Sequence, residues 1–240
     1  MTNVAGTGQC GCLAFYAALG NVTTGLMNPT TEVVAAAGEL KRQVINTLLA
    51  NLRDECLLRP EELEAEVKAV SKRCTASLTM EEKRCALAEH FVSQRKKSIK
   101  DAVSLTYWVW PSHIKAMSIH AREAIYVLDV KTCDEVRVQM YGYQDQRLGN
   151  GEAVEIGIIQ PLATDAALRL FQDLVAAGTL PLVLVLRHSE AGNHFQAVTY
   201  DVEKYEEYTR HYDDYATIVI ILWPSTGVAP STPYLILMIG

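Results

Sequence analysis

The pattern of hydrophobic residues changes near residue 100, and this change constrains the fold more than any other feature of the sequence. Between residues 30 and 100, apolar side chains recur at helical spacing, and Thr31 is expected to cap the first helix. Pro60 suits the first turn of a second helix, and Thr79–Glu82 has the form of a capping box that opens a third. After residue 100, short apolar or alternating segments predict strands. Helices followed by a sheet indicate an α+β fold.

The remaining elements follow from the same patterns. A short buried helix is expected over residues 10–20, a longer one from Trp108 to Arg122, and another from Asp165 to Ala177. A turn around Gly192 and Asn193 is expected to join two consecutive strands. The predicted strands are 125–130, 136–141, 154–159, 182–186, 194–200, 217–222 and 234–239. We therefore expect one domain over residues 1–240, with a helical block at about 30–100 and a sheet-rich half at about 101–222.

Length and composition bound the class of protein. The chain has 240 residues, of which 49% are hydrophobic, enough for one domain with a sizeable core. A net charge of −6 argues against a general nucleic-acid binder. The N-terminus lacks the basic and apolar regions of a secretory signal, and the apolar C-terminal segment is too short to span a bilayer. We expect a cytoplasmic or nuclear protein with reduced cysteines and with neither nucleic-acid nor membrane partners.

Two distant segments carry the residues expected to do chemistry. Cys10 follows Gly8-Gln9 and begins an apolar helix, a setting that lowers the pKa of a thiol. His194 leads an apolar strand and can act as a general base. A nucleophile and its base commonly lie far apart in sequence and meet only in the folded chain. Cys10 and His194 are therefore the candidate catalytic residues.

Three segments, in order along the chain, resemble the OTU (ovarian-tumour) superfamily of cysteine proteases. The first is Gly8-Gln9-Cys10 with Ala14 four residues on, similar to the family's Asp-Gly-Asn-Cys-x-x-x-Ala loop. The second is Tyr107-Trp108 with the helix and strand that follow it. The third is 193–198, similar to the family's His-Tyr/Phe-x-x-Val strand.

The resemblance implies a papain-like/OTU-type cysteine proteinase fold, in which the helical block packs on a small mixed β-sheet. It implies a thiol peptidase with Cys10 and His194 as catalytic residues, acting on peptide or isopeptide bonds of ubiquitin or ubiquitin-like conjugates. No cofactor and no metal are expected, and the protein is expected to be a monomer.

The chain departs from the family at the residue that orients the histidine. Thr7 stands where the family usually has Asp, three residues before the cysteine. Some members take this residue from two positions after the histidine, which here is Gln196, a neutral amide that supports an imidazolium less than a carboxylate does. Gln196 is the candidate orienting residue. The missing acid also motivates an alternative, an OTU-like domain of weak or absent activity that binds ubiquitin or another protein.

Other interpretations stay open. Cys10–Phe15 is similar to a papain-type Cys-Gly-Ser-Cys-Trp-Ala-Phe motif with one residue deleted, which would make Cys12 the nucleophile. A helical interaction module over residues 30–100, joined to an unrelated sheet, is a further hypothesis. The cysteines on the later helices are expected to be packing residues: Cys56, Cys74 and Cys85. His188 precedes a turn and is expected to be exposed. The histidines without partner spacing are expected to be surface or structural residues: His90, His113, His120 and His211.

Overall fold

The computed structural model describes residues 1–71, 77–132, 135–190 and 192–201, together with the strands at 219–221 and 236–238. Cys74, Cys133 and His211 lie outside the described residues, as does most of the predicted domain beyond residue 201. In the described part, helices and a five-stranded mixed sheet confirm the α+β class.

The helical block is present as predicted, with small differences at its ends. The helices are α1 (Cys10–Leu19), α2 (Thr31–Leu58), α3 (Pro60–Val70), α4 (Met80–Lys96), α5 (Pro111–Ala121) and α6 (Thr164–Ala176), and a 3-10 turn covers Leu105–Tyr107. No described helix is long and apolar enough to cross a bilayer.

Two of the predicted helix starts match the structure and two differ from it by one to three residues. Pro60 stands at the start of α3, and Thr79 forms the expected capping box with Glu82. The cap of α2 is Thr30 rather than Thr31, since the Thr30 side chain accepts a hydrogen bond from the Val33 amide. The predicted helix from Trp108 begins instead at Pro111, whose fixed φ suits the first helical position.

The strands are β1 (Ile125–Val130), β2 (Val136–Arg147), β3 (Ala153–Leu162), β4 (Leu182–Ser189), β5 (Gly192–Ala197), β6 (Val219–Ile221) and β7 (Ile236–Met238). The main sheet has the order β3-β2-β1-β4-β5, in which β1 and β4 run parallel and the other neighbours antiparallel. The strands β6 and β7 form a separate antiparallel pair.

Each face of the main sheet is covered by helices. On one face, residues of α1 to α5 pack against Ile125, Val127 and Leu184 in the larger core. On the other face, Phe171 of α6 packs against Tyr126 in the smaller core. Successive side chains of β1 point to opposite faces of the sheet, and both faces are covered, so the side chains of its first four residues are all buried. This explains the continuous apolar sequence of the strand.

The edge of the sheet at β5 positions the candidate site. Ser189 of β4 pairs with Gly192, so Gly192 and Asn193 belong to the strand and not to the turn that was predicted there. The free edge of β5 is continued by the chain's first residues, because Thr2 and Ala197 exchange both backbone hydrogen bonds at 2.9 and 3.0 Å. The N-terminal segment therefore lies beside the strand that carries His194.

Candidate active site around Cys10

The Cys10 thiol lies where the start of α1 meets the edge of β5. Cys10 is the first residue of α1 and is only 4% exposed. Its Sγ accepts a hydrogen bond from the backbone N–H of Phe195, with 3.5 Å between the heavy atoms. The fold thus brings the predicted nucleophile into contact with the residue that follows the predicted base.

Burial raises the pKa of the Cys10 thiol, because it disfavours the thiolate. The backbone N–H groups of Phe195, Gly11 and Cys10 itself act in the opposite direction and stabilise the thiolate. Burial is the larger effect, so in this conformation Cys10 is a protonated thiol. This differs from the low pKa that the helix start predicted, since the helix N-terminus is here combined with a nearly dry environment.

His194 is held by a residue that the sequence analysis did not single out. Its Nε2 lies 2.8 Å from Oδ1 of Asn3, a hydrogen bond that spans almost the whole described chain. The imidazole is half-buried, and burial lowers its pKa. With Nε2 bonded to the amide oxygen, Nδ1 is the nitrogen left to face a thiol.

Asn3 is itself fixed by the surrounding backbone. Its N–H donates to the carbonyl of Gly25 at 2.8 Å, and its carbonyl accepts from Met27 at 2.9 Å. Its Oδ1 also accepts from the Val4 amide at 2.9 Å. The side chain that contacts His194 is therefore presented by a short, well-anchored segment.

No described hydrogen bond joins Gln196 to His194. Its Oε1 accepts a hydrogen bond from Nε of Arg187 at 2.9 Å, and the side chain is buried. The imidazole is hydrogen-bonded to the side-chain amide of Asn3. The side-chain amide of Gln196, which was expected in that role, is hydrogen-bonded to Arg187 of β4 instead. The Asn3 amide is therefore the one hydrogen-bonded to the ring.

The described hydrogen bonds connect Cys10 to the residue after His194 and not to the His194 ring. Among the described residues, the Cys10 Sγ contacts the backbone of residue 195, and no hydrogen bond joins it to the His194 ring. The burial of both groups disfavours a thiolate–imidazolium pair in this state. Burial therefore favours the neutral form of each group.

Cys12 has no such surroundings. It points into the larger core, and burial raises its pKa to about 11, although the positive charge of Lys41 lowers it in part. The papain-type alternative, with Cys12 as nucleophile, has no histidine contact in the described chain to support it. Among the described residues, the hydrogen bond that distinguishes the two thiols is the one that Cys10 accepts from the Phe195 amide.

A buried clamp holds the loop before Cys10. The side chain of Gln9 donates from Nε2 to the carbonyls of Ser98 and Asp101, and its Oε1 accepts from the ammonium of Lys41 at 2.5 Å. Lys41 in turn donates to the carbonyl of Lys97 at 2.8 Å. Because every polar atom of the Gln9 side chain is used, this side chain fixes the loop and is not free to bind a substrate.

Trp108 lies against both glycines that flank the site. A Cβ added to Gly8 would fall 2.5 Å from its Nε1, and one added to Gly192 would fall 3.1 Å from the far edge of its ring. Gly8 also has φ +81°, a left-handed conformation that glycine adopts most readily. Trp108 therefore packs against these two glycines and does not belong to α5, which begins at Pro111.

Two further predictions concern Thr7 and His188. Among the described residues, the buried side-chain oxygen of Thr7 has no hydrogen-bond partner, so this residue does not orient the imidazole. His188, expected to be exposed, is partly buried at the ends of the parallel strands β1 and β4, where its Nε2 lies 2.5 Å from Asp129 and 3.1 Å from Lys131. The prediction of exposure was wrong, because the parallel pairing of β1 with β4 places a carboxylate beside the ring.

Asn3 could not have been found from local pattern. The first residues of the chain carry no strand periodicity, and they are ordered by the bridge to Ala197 and by contacts with residues 25–27. The one available signal was chemical, since a cysteine–histidine pair lacking a nearby acid needs an amide or acid from elsewhere.

Comparisons of the chain with protein-family models, curated proteins and solved structures find no match.

Proposed function

We propose that this protein is a cysteine peptidase of papain-like plan, resembling the OTU superfamily, that cleaves peptide or isopeptide bonds of ubiquitin or ubiquitin-like conjugates. One observation carries the proposal. Cys10 contacts the backbone beside His194, whose Nε2 is hydrogen-bonded to Asn3. Cysteine, histidine and asparagine are the residue types with which papain-like proteases perform acyl transfer.

The proposed reaction follows from this geometry. His194 Nδ1 takes the thiol proton, and the Cys10 sulfur forms a bond to the carbonyl carbon of the substrate amide. When the tetrahedral intermediate collapses, the C–N bond breaks and the imidazolium gives its proton to the leaving amine. Water, deprotonated by the same imidazole, then hydrolyses the thioester and restores the thiol.

The start of α1 supplies the groups that would stabilise the oxyanion. The first N–H groups of a helix have no acceptor within the helix, and in α1 these are the amides of Cys10 and Gly11, since the Cys12 amide already donates to the carbonyl of Gln9 at 3.1 Å. A developing negative charge on the substrate oxygen is stabilised there by hydrogen bonds and by the helix dipole. Such an arrangement requires no further charged side chain.

A specific observation also favours a second function. The thiol is nearly inaccessible, its pKa is raised, and no described hydrogen bond links it to His194. A domain that keeps this state when it meets its partner would bind ubiquitin or another protein without cleaving it. Catalysis requires the imidazole to reach the thiol when substrate binds, and this requirement separates the two functions.

Turnover of ubiquitin carrying a fluorogenic C-terminal amide tests the proposal. We expect hydrolysis that is abolished by Cys10→Ala and retained by Cys12→Ala, with the free amine and ubiquitin as products. If ubiquitin binds with a measurable dissociation constant but no variant or wild-type protein releases the fluorophore, the protein is a binding domain. If ubiquitin neither binds nor reacts, both forms of the proposal fail.

A further inference from the structure

A cavity of about 400 Å³ lies between α2, α3, α5 and β3. None of Cys10, His194 and Asn3 lines it. Ala65 of α3 lines it and is exposed, so the cavity is open to solvent on this side. An apolar protein cavity of about 150 Å³ holds one benzene molecule, so this one has room for an aromatic ring with a short chain. Its wall is mostly apolar, with side chains that include Leu48, Leu52, Leu63, Phe91, Ile119 and Ile159.

Ion pairs and hydrogen bonds hold the elements around the cavity in place. The Lys115 ammonium of α5 lies 2.6 Å from Glu55 of α2 and 2.9 Å from Glu62 of α3. Glu55 also accepts a hydrogen bond from the amide of Gly157 in β3 at 3.1 Å. These contacts join all four elements, so the cavity is formed without a ligand, as small-molecule sites usually are.

The charged groups of the wall favour a neutral ligand. The carboxylates of Glu55, Glu62 and Glu66 line the cavity together with two cations, Lys115 and Arg59. An ion of either sign would therefore meet like as well as opposite charge, and it would also lose its hydration on entering a mostly apolar space. A neutral molecule avoids both costs.

The indole of Trp110 is the polar group of the wall that lacks a partner. The backbone of Trp110 is satisfied, since its N–H donates to Nδ1 of His113 at 3.2 Å and its carbonyl accepts from the His113 amide at 2.9 Å. The side chain lines the cavity, and its Nε1 is buried with no acceptor among the described residues. An indole N–H only donates, and buried tryptophans usually find a partner for it. The group that is missing is therefore an acceptor.

We propose that this cavity binds a neutral, mostly apolar molecule with one carbonyl group, whose oxygen accepts a hydrogen bond from Trp110 Nε1. The rest of the molecule packs against the leucine, isoleucine and phenylalanine side chains of the wall. A buried donor without an acceptor costs free energy, and a carbonyl ligand removes this cost whereas a hydrocarbon does not. The inference is independent of the peptidase proposal, because no residue of the candidate active site takes part.

Calorimetric titration with two probes of one shape tests the proposal. The ketone 4-phenylbutan-2-one carries the acceptor, and the alkene (3-methylbut-3-enyl)benzene has a methylene group in place of the carbonyl oxygen. We expect wild type to bind both probes. Trp110→Phe should weaken binding of the ketone about tenfold and change that of the alkene by no more than about twofold, since only the ketone loses a hydrogen bond.

Trp108→Phe is the matched control. The Trp108 indole N–H is also buried without an acceptor among the described residues, but Trp108 does not line the cavity. This substitution should leave the affinity for both probes unchanged.

NMR spectra of the wild-type protein with isotope-labelled tryptophan give a test that needs no substitution. The chain has three tryptophans, and we expect one indole N–H resonance to move downfield with the ketone and not with the alkene. The proposal is overturned if neither probe binds, if no indole resonance moves downfield with the ketone, or if Trp110→Phe leaves ketone affinity unchanged or weakens both probes equally.

Discussion

At the scale of single residues, two cysteines two positions apart differ in what surrounds their sulfur atoms and hardly in their exposure. Cys10 is 4% and Cys12 is 6% exposed. Burial raises the pKa of both thiols, that of Cys12 to about 11, but at Cys10 the backbone N–H groups of the helix start and of β5 act in the opposite direction. Reactivity should therefore separate the pair where solvent access does not.

We expect iodoacetamide to modify Cys10 before Cys12, since the thiolate is the reacting form. Cys56, whose pKa burial raises to about 11, should react as slowly as Cys12. The exposed Cys85 provides the reference for an accessible thiol in the same sample. Site-resolved mass spectrometry over a series of times and pH values measures the order. Modification of Cys12 ahead of Cys10 would move the nucleophile to Cys12.

The orienting residue can be identified by a matched pair of amide deletions. Asn3→Ala removes the partner of His194 and should reduce kcat by on the order of 10²-fold, with a smaller effect on KM. Gln196→Ala removes a buried amide whose described hydrogen bond is to Arg187, so it should lower the melting temperature and leave kcat within about threefold.

A pH profile distinguishes positioning from mere stability. Asn3→Asp should retain activity and raise the pH at which His194 loses its proton, because a carboxylate stabilises the imidazolium. If Gln196→Ala abolishes turnover while Asn3→Ala is silent, the hydrogen bond to Asn3 has no catalytic role.

At the scale of elements, a buried histidine joins α4, α5 and the segment that carries Trp108. His113 accepts a hydrogen bond from the Trp110 amide at 3.2 Å, and its Nε2 lies 2.7 Å from Oε1 of Gln94. Gln94 donates in turn to the carbonyl of Tyr107 at 2.9 Å. The network fixes the start of α5 and the chain that leads to the candidate site.

This network should make the fold sensitive to acid. Burial lowers the pKa of His113 from 6.5 to about 3. Between these values the unfolded chain binds more protons than the folded one, so the stabilisation is complete above pH 6.5 and is lost as the pH falls toward 3. His113→Gln does not titrate, so the difference in unfolding free energy from wild type should narrow by about 2 kcal/mol between pH 6.5 and pH 5.

Urea unfolding at a series of pH values measures this difference. His120→Gln, on the same helix but outside the network, is the control and should follow wild type at every pH. Parallel profiles for wild type and His113→Gln would show that His113 titrates in the folded protein as it does in the unfolded chain.

Elements were predictable from the sequence where local signals decide them. Helical spacing, Pro60 and the Thr79 capping box correctly predicted α2, α3 and α4, because caps and periodicity act within a few residues. The extension of β2 to Arg147 was not predicted, since it depends on pairing with β3 along its length. Likewise, Gly192 and Asn193 read as a turn but are held in β5 by their pairing with β4.

At the scale of the whole molecule, the candidate site depends on contacts between the ends of the described chain. The Asn3 side chain meets His194 only because Thr2 pairs with Ala197 at the free edge of the sheet. Cys10 and His194 could be selected from residue type and order. Their third partner could not, because nothing near residue 3 in the sequence records a contact that spans 191 positions.

The central claim is that Cys10 and His194 form a working nucleophile and base once ubiquitin is bound. Covalent trapping by ubiquitin with a C-terminal electrophile tests it most directly, with the modified residue located by mass spectrometry. We predict one adduct on Cys10, lost in Cys10→Ala, strongly slowed in His194→Ala and retained in Cys12→Ala. An adduct on another cysteine, or no adduct when ubiquitin is demonstrably bound, would contradict it.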